Sequence, residues 1–181
     1  MQTFRPGFLA LLALVSLSLS ACLQSRAPLF DEAKAVTPAA AGRYQQDESE
    51  YGRWTKKQTG TLLLEDRTYT WKIDSEKDAT FFTLYDIGGG FYVAAAHPKY
   101  VAPDDVFTYA LFENTKDGFL AYMPTCADMM RLRQPKEDLP QVNGSNCFYT
   151  DHETLVRALK RYAAAMLPGS RYVQLNSAEN K

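Results

Sequence analysis

Residues Thr68–Asp74 read TYTWKID, and this stretch decides the fold class. Its apolar side chains alternate with polar ones, with Tyr69, Trp71 and Ile73 set against Thr70, Lys72 and Asp74. In an extended chain, successive side chains point to opposite faces, so this period of two predicts a β-strand with one face toward a core. Aromatic residues also favour strands, where their rings cover cross-strand neighbours.

The sequence on both sides of this strand has the same character. Two loops, DIGGG at 86–90 and ENTKDG at 113–118, each separate two aromatic-rich runs and predict hairpins. The predicted strands lie at 43–45, 54–58, 60–66, 68–74, 81–85, 91–96, 106–112, 119–123, 147–149 and 171–175. This pattern indicates an antiparallel meander.

One strongly helical segment follows these strands. Thr150 and Glu153 fit a capping box at its start, His152 is expected to pack in the first turn, and Pro168-Gly169 ends it. Its apolar face consists of Leu155, Val156, Leu159, Tyr162, Ala163 and Met166. One or two further helical turns are predicted at 125–132 and a loop at 133–146. Strands followed by a helix predict an α+β fold: an antiparallel sheet of about seven to eight strands, open or barrel-like, with one C-terminal helix packed on it.

Composition indicates one folded domain and argues against two classes of protein. The chain has 181 residues, of which 46% are hydrophobic and 13% aromatic, which is too much apolar surface for a disordered protein. The net charge of −1 offers no basic excess for a phosphate backbone, so no nucleic-acid partner is predicted.

The N-terminus has the form of an export signal. Arg5 precedes the short apolar run Gly7–Leu17, and Leu19-Ser20-Ala21-Cys22 then resembles the bacterial lipobox. The resemblance implies that residues 1–21 are a signal peptide and that Cys22 carries diacylglycerol and an amide-linked acyl chain. It also implies a lipid-anchored, periplasm-facing protein, and Leu23 after the cysteine favours the outer membrane over the inner membrane.

The domain boundaries follow from composition. Residues 22–41 contain prolines and many alanines without a sustained apolar period, which predicts a lipidated cysteine followed by a flexible tether. The alternative is that Leu29 and Phe30 dock on the body. Residues 42–176 are predicted to form the single domain, and 177–181 a polar tail.

The two remaining cysteines predict a disulfide. Export places Cys126 and Cys147 in an oxidising compartment, where an even pair forms a bridge. A thiol active site would need an orienting base that the sequence around Cys147 and His152 does not supply.

No catalytic, metal or cofactor motif is predicted. The two histidines, His97 and His152, are far apart in the sequence, whereas structural zinc requires four closely spaced ligands. The glycines at 88–90 precede a strand rather than the helix of a phosphate-binding loop. The chain has more aromatic residues than the core is expected to need. Four of them are candidates for a ligand or partner surface: Tyr92, Tyr100, Tyr109 and Tyr122.

Three functions stay open from the sequence. The first is a non-catalytic envelope lipoprotein that binds a protein or an envelope component. The second rests on Gly42-Arg43-Tyr44, the meander and the late helix, which together resemble lipocalin-like barrels, although Tyr44 occupies the usual tryptophan position. That resemblance implies a carrier of small apolar molecules. The third is an enzyme of unknown type.

Overall fold

The computed structural model describes residues 23–50, 53–96, 106–166 and 168–175. Within these ranges the chain forms eleven strands and two α-helices. The strands are β1 (Leu23–Ser25), β2 (Gly42–Glu50), β3 (Arg53–Glu65), β4 (Thr68–Ile73), β5 (Ala79–Gly88), β6 (Phe91–Ala96), β7 (Phe107–Thr115), β8 (Gly118–Tyr122), β9 (Gln141–Asn143), β10 (Asn146–Phe148) and β11 (Ser170–Gln174). The helices are α1 (Cys126–Arg131) and α2 (His152–Ala165), and 3-10 turns occur at Glu32–Lys34 and Lys136–Asp138.

Eight of the strands close into an antiparallel barrel. Strands β2 to β8 pair in succession, and β11 closes the ring between β8 and β2. The register at the closure places Tyr172 opposite both Phe119 and Gln46. The predicted α+β fold, with one C-terminal helix packed on the sheet, is confirmed.

The sheet forks at β7. The second half of β7 pairs with β8, while its first three residues pair with β1, so that Leu23 lies opposite Tyr109. Strand β1 continues into a small extension through β10, its parallel neighbour, and then β9. Both halves of β7 keep β6 on their other side.

The alternation of side chains along the strands creates two apolar cores. The inner core fills part of the barrel and contains Leu62, Trp71, Phe82 and Phe119. The outer core lies between the barrel wall and α2. It consists of side chains from β1 and β5 to β8, the segment before β2, the disulfide region and the helix, and includes Leu23, Tyr85, Val93, Leu111, Met129, Tyr149, Leu155 and Leu159. Burying each leucine contributes about 1.5–3 kcal/mol relative to exposure, so this core fastens α2 to the sheet.

The N-cap of α2 is one residue later than predicted. Asp151, not Thr150, caps the helix, because its side chain accepts a hydrogen bond of 2.7 Å from the Thr154 amide. An aspartate caps as well as a threonine, and its charge suits the positive helix end. A complete capping box instead starts the short helix α1, between Thr125 and Asp128.

The apolar face of α2 agrees with the prediction at most positions. Leu155, Leu159 and Tyr162 are buried, while Met166 lies beyond the last helical turn with 39% of its surface exposed. Ala158 is buried as well, because the helix lies close to the sheet at that position.

The predicted flexible tether is wrong for the described residues before β2. Leu23 is fully buried within β1, and Phe30 stacks on Tyr85 with ring centroids 4.6 Å apart. The alternative, that Leu29 and Phe30 dock on the body, matches the structure. A three-residue strand is too short to give a detectable period, so the pairing of β1 could not be read from the sequence.

The loop predicted at 133–146 contains structure that holds α2. After the 3-10 turn, Asp138 lies buried against α2, where Arg157 donates to it at 2.7 Å and Arg161 makes a second ion pair. The hydrogen bonds from Arg157, which has the larger effect, and from Arg161 hold the pKa of the Asp138 carboxyl below its usual range. The second half of the loop forms β9, which pairs with β10.

Candidate ligand-binding cavity

A cavity of about 380 Å³ lies inside the barrel and opens at one end. Strands β3 to β8 and β11 form its wall, and Met123, Pro124 and Thr125 form part of its rim where the chain leaves β8. Its volume falls within the range of small-molecule sites, about 300–1,000 Å³.

The cavity exists because small residues face inward from two neighbouring strands. Ala94 and Ala96 on β6 and Ala110 on β7 line one side, with Ala94 directly opposite Ala110. Larger side chains at these positions would fill the space, as Phe82 does on β5. The alanine wall, meaning Ala94, Ala96 and Ala110, therefore determines the free volume.

Aromatic rings form other parts of the cavity wall. Phe119 stacks on Tyr172 at 4.6 Å, and Phe112 meets Phe119 edge-on at 5.0 Å. The Trp71 ring meets Tyr172 edge-on at 5.4 Å. Such packed rings hold one another in place, so the cavity is largely preformed and presents flat apolar surfaces.

The end of the barrel opposite the rim is closed by the segment that precedes β2. The Tyr69 hydroxyl bonds the backbone of Ala39 at both its carbonyl and its amide, at 2.9 and 3.1 Å, and Tyr44 donates to the Ala40 carbonyl at 2.8 Å. Val36 is joined to Leu84 by a backbone hydrogen bond of 2.8 Å. The space left at this end is only about 10 Å³. Among the described residues, the opening of the cavity therefore lies at the rim.

The described lining is uncharged. Within the part of the chain that the structure describes, no Asp, Glu, Lys, Arg or His lines the cavity. Burial raises the pKa of Tyr172, so this phenol stays neutral at pH 7. The polar lining groups include the hydroxyls of Thr80 and Thr108 near the rim. Because a buried unpaired charge is strongly disfavoured, the cavity suits a neutral, apolar ligand with its polar end at the rim.

The three described tyrosines of the predicted surface, Tyr92, Tyr109 and Tyr122, do not share a face. Tyr92 packs against the inner core near the closed end, and Tyr100 lies outside the described residues. Tyr109 borders the cavity, but its ring belongs to the outer core and its hydroxyl bonds Ser25 at 2.7 Å. Tyr122 also lies in the outer core and donates to Glu113 at 2.7 Å, and burial raises its pKa to about 12.

Cys126, Cys147 and His152 make structural contacts. Cys126 and Cys147 form the predicted disulfide, which ties the start of α1 to β10. His152 meets the Phe30 ring edge-on at 4.6 Å, and His97 lies outside the described residues. Among the residues whose positions are given, no group of three or more His, Cys, Asp or Glu could hold a metal ion.

The sequence did contain a signal for the alanine wall. Ala94 and Ala96 stand at alternate positions of β6 and so share one face of that strand, and Ala110 stands in β7 between the large residues Tyr109 and Leu111. The prediction overlooked it because alanine carries no functional group and the register between β6 and β7 was unknown.

Two further findings concern membrane-spanning helices and similarity to known proteins. In the described ranges, no helix is long and apolar enough to cross a membrane. No protein-family model, curated protein or solved structure matches the chain.

Proposed function

We propose that this protein is a lipid-anchored, periplasm-facing outer-membrane protein whose barrel binds a small, neutral, apolar molecule. The observation that carries the binding proposal is the apolar cavity of about 380 Å³, which opens at the rim and whose lining among the described residues carries no charge. The anchor rests on the lipobox resemblance at Leu19-Ser20-Ala21-Cys22, which lies outside the described residues.

The volume sets the size of the ligand. An apolar cavity of about 150 Å³ holds benzene with its six heavy atoms, or about 25 Å³ for each atom. On this scale the barrel accommodates about 15 heavy atoms. That number corresponds to one medium-length hydrocarbon chain or an aromatic molecule of about two to three rings.

The cavity favours the carrier over a protein-binding role. Large exposed apolar side chains such as Leu63 and Val142 are about half exposed, and single residues of this kind are ordinary on protein surfaces. The protein-binding role stays a prediction, and an enzyme of unknown type stays the third alternative.

The binding test uses the protein from Leu23 onward and the neutral fluorophore N-phenyl-1-naphthylamine. We expect enhanced fluorescence with saturable, equimolar binding. Ala110→Leu should weaken this binding by about tenfold or more, because overfilling a packed space costs about 1–3 kcal/mol. The matched control, Ala164→Leu on the exposed side of α2, should bind like the parent protein. Equal binding by both variants would exclude the barrel as the site.

The anchor has a separate test. Cys22→Ser should release the protein from the membrane fraction of cells. Serine has no thiol to carry the diacylglycerol, and a durable anchor needs more than one acyl chain. A Cys22→Ser protein that still fractionates with membranes would contradict the lipid anchor.

A further inference from the structure

One hydroxyl group in the cavity lining differs from the others. The Tyr109 hydroxyl bonds Ser25 in the outer core, and the Thr125 hydroxyl bonds the Asp128 carboxylate at 2.7 Å. By contrast, the Tyr172 hydroxyl makes no hydrogen bond to any described residue, although Tyr172 lines the cavity. Tyr172 therefore offers a hydrogen-bonding group that a ligand can use.

This tyrosine lies deeper than the threonine hydroxyls near the rim. Its ring meets Trp71 of β4, although β2 and β3 separate β4 from β11 in the sheet, so the ring projects into the barrel. Burial raises the pKa of Tyr172, because a charged phenolate would be poorly solvated there. The residue still keeps some accessible surface, and an inward-pointing side chain exposes that surface to the cavity.

Neighbouring rings hold the Tyr172 side chain in place. Phe119 stacks on it, with an interplanar angle of 16° and ring centroids 4.6 Å apart. Trp71 and Phe112 meet it edge-on, at 5.4 and 6.4 Å. A side chain packed in this way has already lost most of its rotamer freedom, so bonding a ligand to its hydroxyl costs little further conformational entropy.

The lining around Tyr172 favours a ligand that accepts a hydrogen bond. A phenol O–H without a partner in an apolar space is unfavourable, and a ligand oxygen that accepts from it removes this cost. The indole of Trp71 can only donate, so these two rings provide no second acceptor. A carbonyl oxygen accepts and has no proton of its own. An alcohol could also accept, but its own O–H would then lack a partner at this depth.

We propose that the cavity binds a neutral carbonyl compound, such as a ketone, whose oxygen accepts a hydrogen bond from the Tyr172 hydroxyl. This inference rests on the proposed function and names the ligand class of the same cavity. The rest of the ligand is apolar and lies against the alanine wall and the aromatic rings. Its size is limited to about 15 heavy atoms.

The test compares three ligands of matched size. 2-Acetylnaphthalene carries the carbonyl group, 2-isopropenylnaphthalene has a methylene in place of the oxygen, and 1-(2-naphthyl)ethanol has an alcohol in place of the carbonyl. All three have the same number of heavy atoms and fit a capacity of about 15. Their affinities are measured by displacement of N-phenyl-1-naphthylamine from the protein that starts at Leu23. Tyr172→Phe removes the hydroxyl, and Tyr109→Phe is the control because its hydroxyl bonds Ser25 instead.

We expect Tyr172→Phe to lower the affinity for 2-acetylnaphthalene about fivefold relative to that for 2-isopropenylnaphthalene, which is the contribution of one hydrogen bond. Tyr109→Phe should leave this ratio unchanged. The parent protein should bind the ketone more tightly than the alcohol.

Infrared spectroscopy provides a readout that does not depend on affinity. A hydrogen bond weakens the C=O bond, so the carbonyl stretch of the bound ketone should lie at lower frequency than in hexane. In Tyr172→Phe it should return toward the hexane value. The measurement on the parent protein alone stays decisive if Tyr172→Phe does not fold.

Three outcomes would overturn the inference: an unchanged affinity ratio in Tyr172→Phe, an alcohol that binds as tightly as the ketone, or a carbonyl stretch in the parent protein at the hexane value. Each is distinguishable from failure of the proposed function. In these cases N-phenyl-1-naphthylamine would still bind and Ala110→Leu would still weaken its binding, whereas a protein that does not bind this fluorophore at all would contradict both proposals.

Discussion

Gly60 on β3 lies directly beneath the indole of Trp71 on β4. A Cβ atom at position 60 would come within 2.6 Å of both the Trp71 ring and the Lys72 carbonyl oxygen. Because real side chains do not approach this closely, the tryptophan can occupy its place in the cavity wall only over a glycine. The shape of the cavity therefore depends on the absence of a side chain at Gly60.

Gly60→Ala should therefore displace the Trp71 ring and weaken both stability and ligand binding. We expect a loss of about 1–3 kcal/mol in the free energy of unfolding, as for other overpacked sites. Denaturant unfolding and N-phenyl-1-naphthylamine titration measure the two effects. Gly169→Ala is the matched control, because no atom lies within 4 Å of its Cβ position. Equal stability of the two variants would show that Trp71 does not depend on Gly60.

Gly118→Ala should also destabilise the fold. At the start of β8, Gly118 has φ of +150°, and a Cβ there would lie 1.9 Å from the Tyr172 carbonyl oxygen of β11. The neighbour is backbone and cannot rotate away, so the β8–β11 pairing that closes the barrel has to shift. We expect a loss of more than about 1 kcal/mol, measured by thermal unfolding. A melting temperature that matches the parent protein would contradict the close approach.

Removal of the disulfide should destabilise the protein without changing its barrel. The bridge spans 21 residues in sequence, and closing a loop of this size contributes about 3 kcal/mol in the chain-entropy model. We expect Cys126→Ser/Cys147→Ser to lower the urea midpoint, and the parent protein in reductant to behave alike. Thiol counting after denaturation without reductant should find neither cysteine free. Two reactive thiols there would contradict the bridge.

Acid should weaken the attachment of α2 through Asp138. The folded pKa of this carboxyl is lowered by Arg157 and Arg161, so its ionised form stabilises the folded state above the unfolded pKa of about 3.9. That contribution is lost as the pH falls through the lower folded pKa. Asp138→Asn should be less stable than the parent at pH 7, and the difference should shrink below about pH 4.

The control for this pH series is Asp78→Asn, which changes an exposed aspartate on the loop between β4 and β5. Its melting temperature should follow that of the parent protein across the whole range. A stability difference for Asp138→Asn that is constant from pH 7 to pH 2 would rule out titration of this carboxyl as the cause.

The sequence predicted most of the fold because local patterns determine it. Alternation in TYTWKID, the glycine loops at 86–90 and 113–118, and the apolar face of α2 are each visible within about fifteen residues. What it missed depends on distant pairing. The three residues of β1 have no period of their own, and their partners in β7 and β10 lie more than eighty residues away.

The candidate site was harder to predict for the same reason. Large aromatic residues attract attention in a sequence, yet Tyr109 and Tyr122 serve the outer core. The cavity instead exists because Ala94, Ala96 and Ala110 have small side chains. Small side chains form a binding site only when the barrel closes and these positions surround one space together with Trp71 and Tyr172.

The burial of Leu23 would also limit how far a protein anchored at Cys22 could act. A flexible tether of about nineteen residues would have let the domain range about 24 Å from its anchor. With β1 fixed in the sheet, a lipid on Cys22 would leave the barrel almost no freedom to rise from the bilayer. The molecule would work within its own diameter of the membrane surface, and anything it exchanges would have to be delivered there.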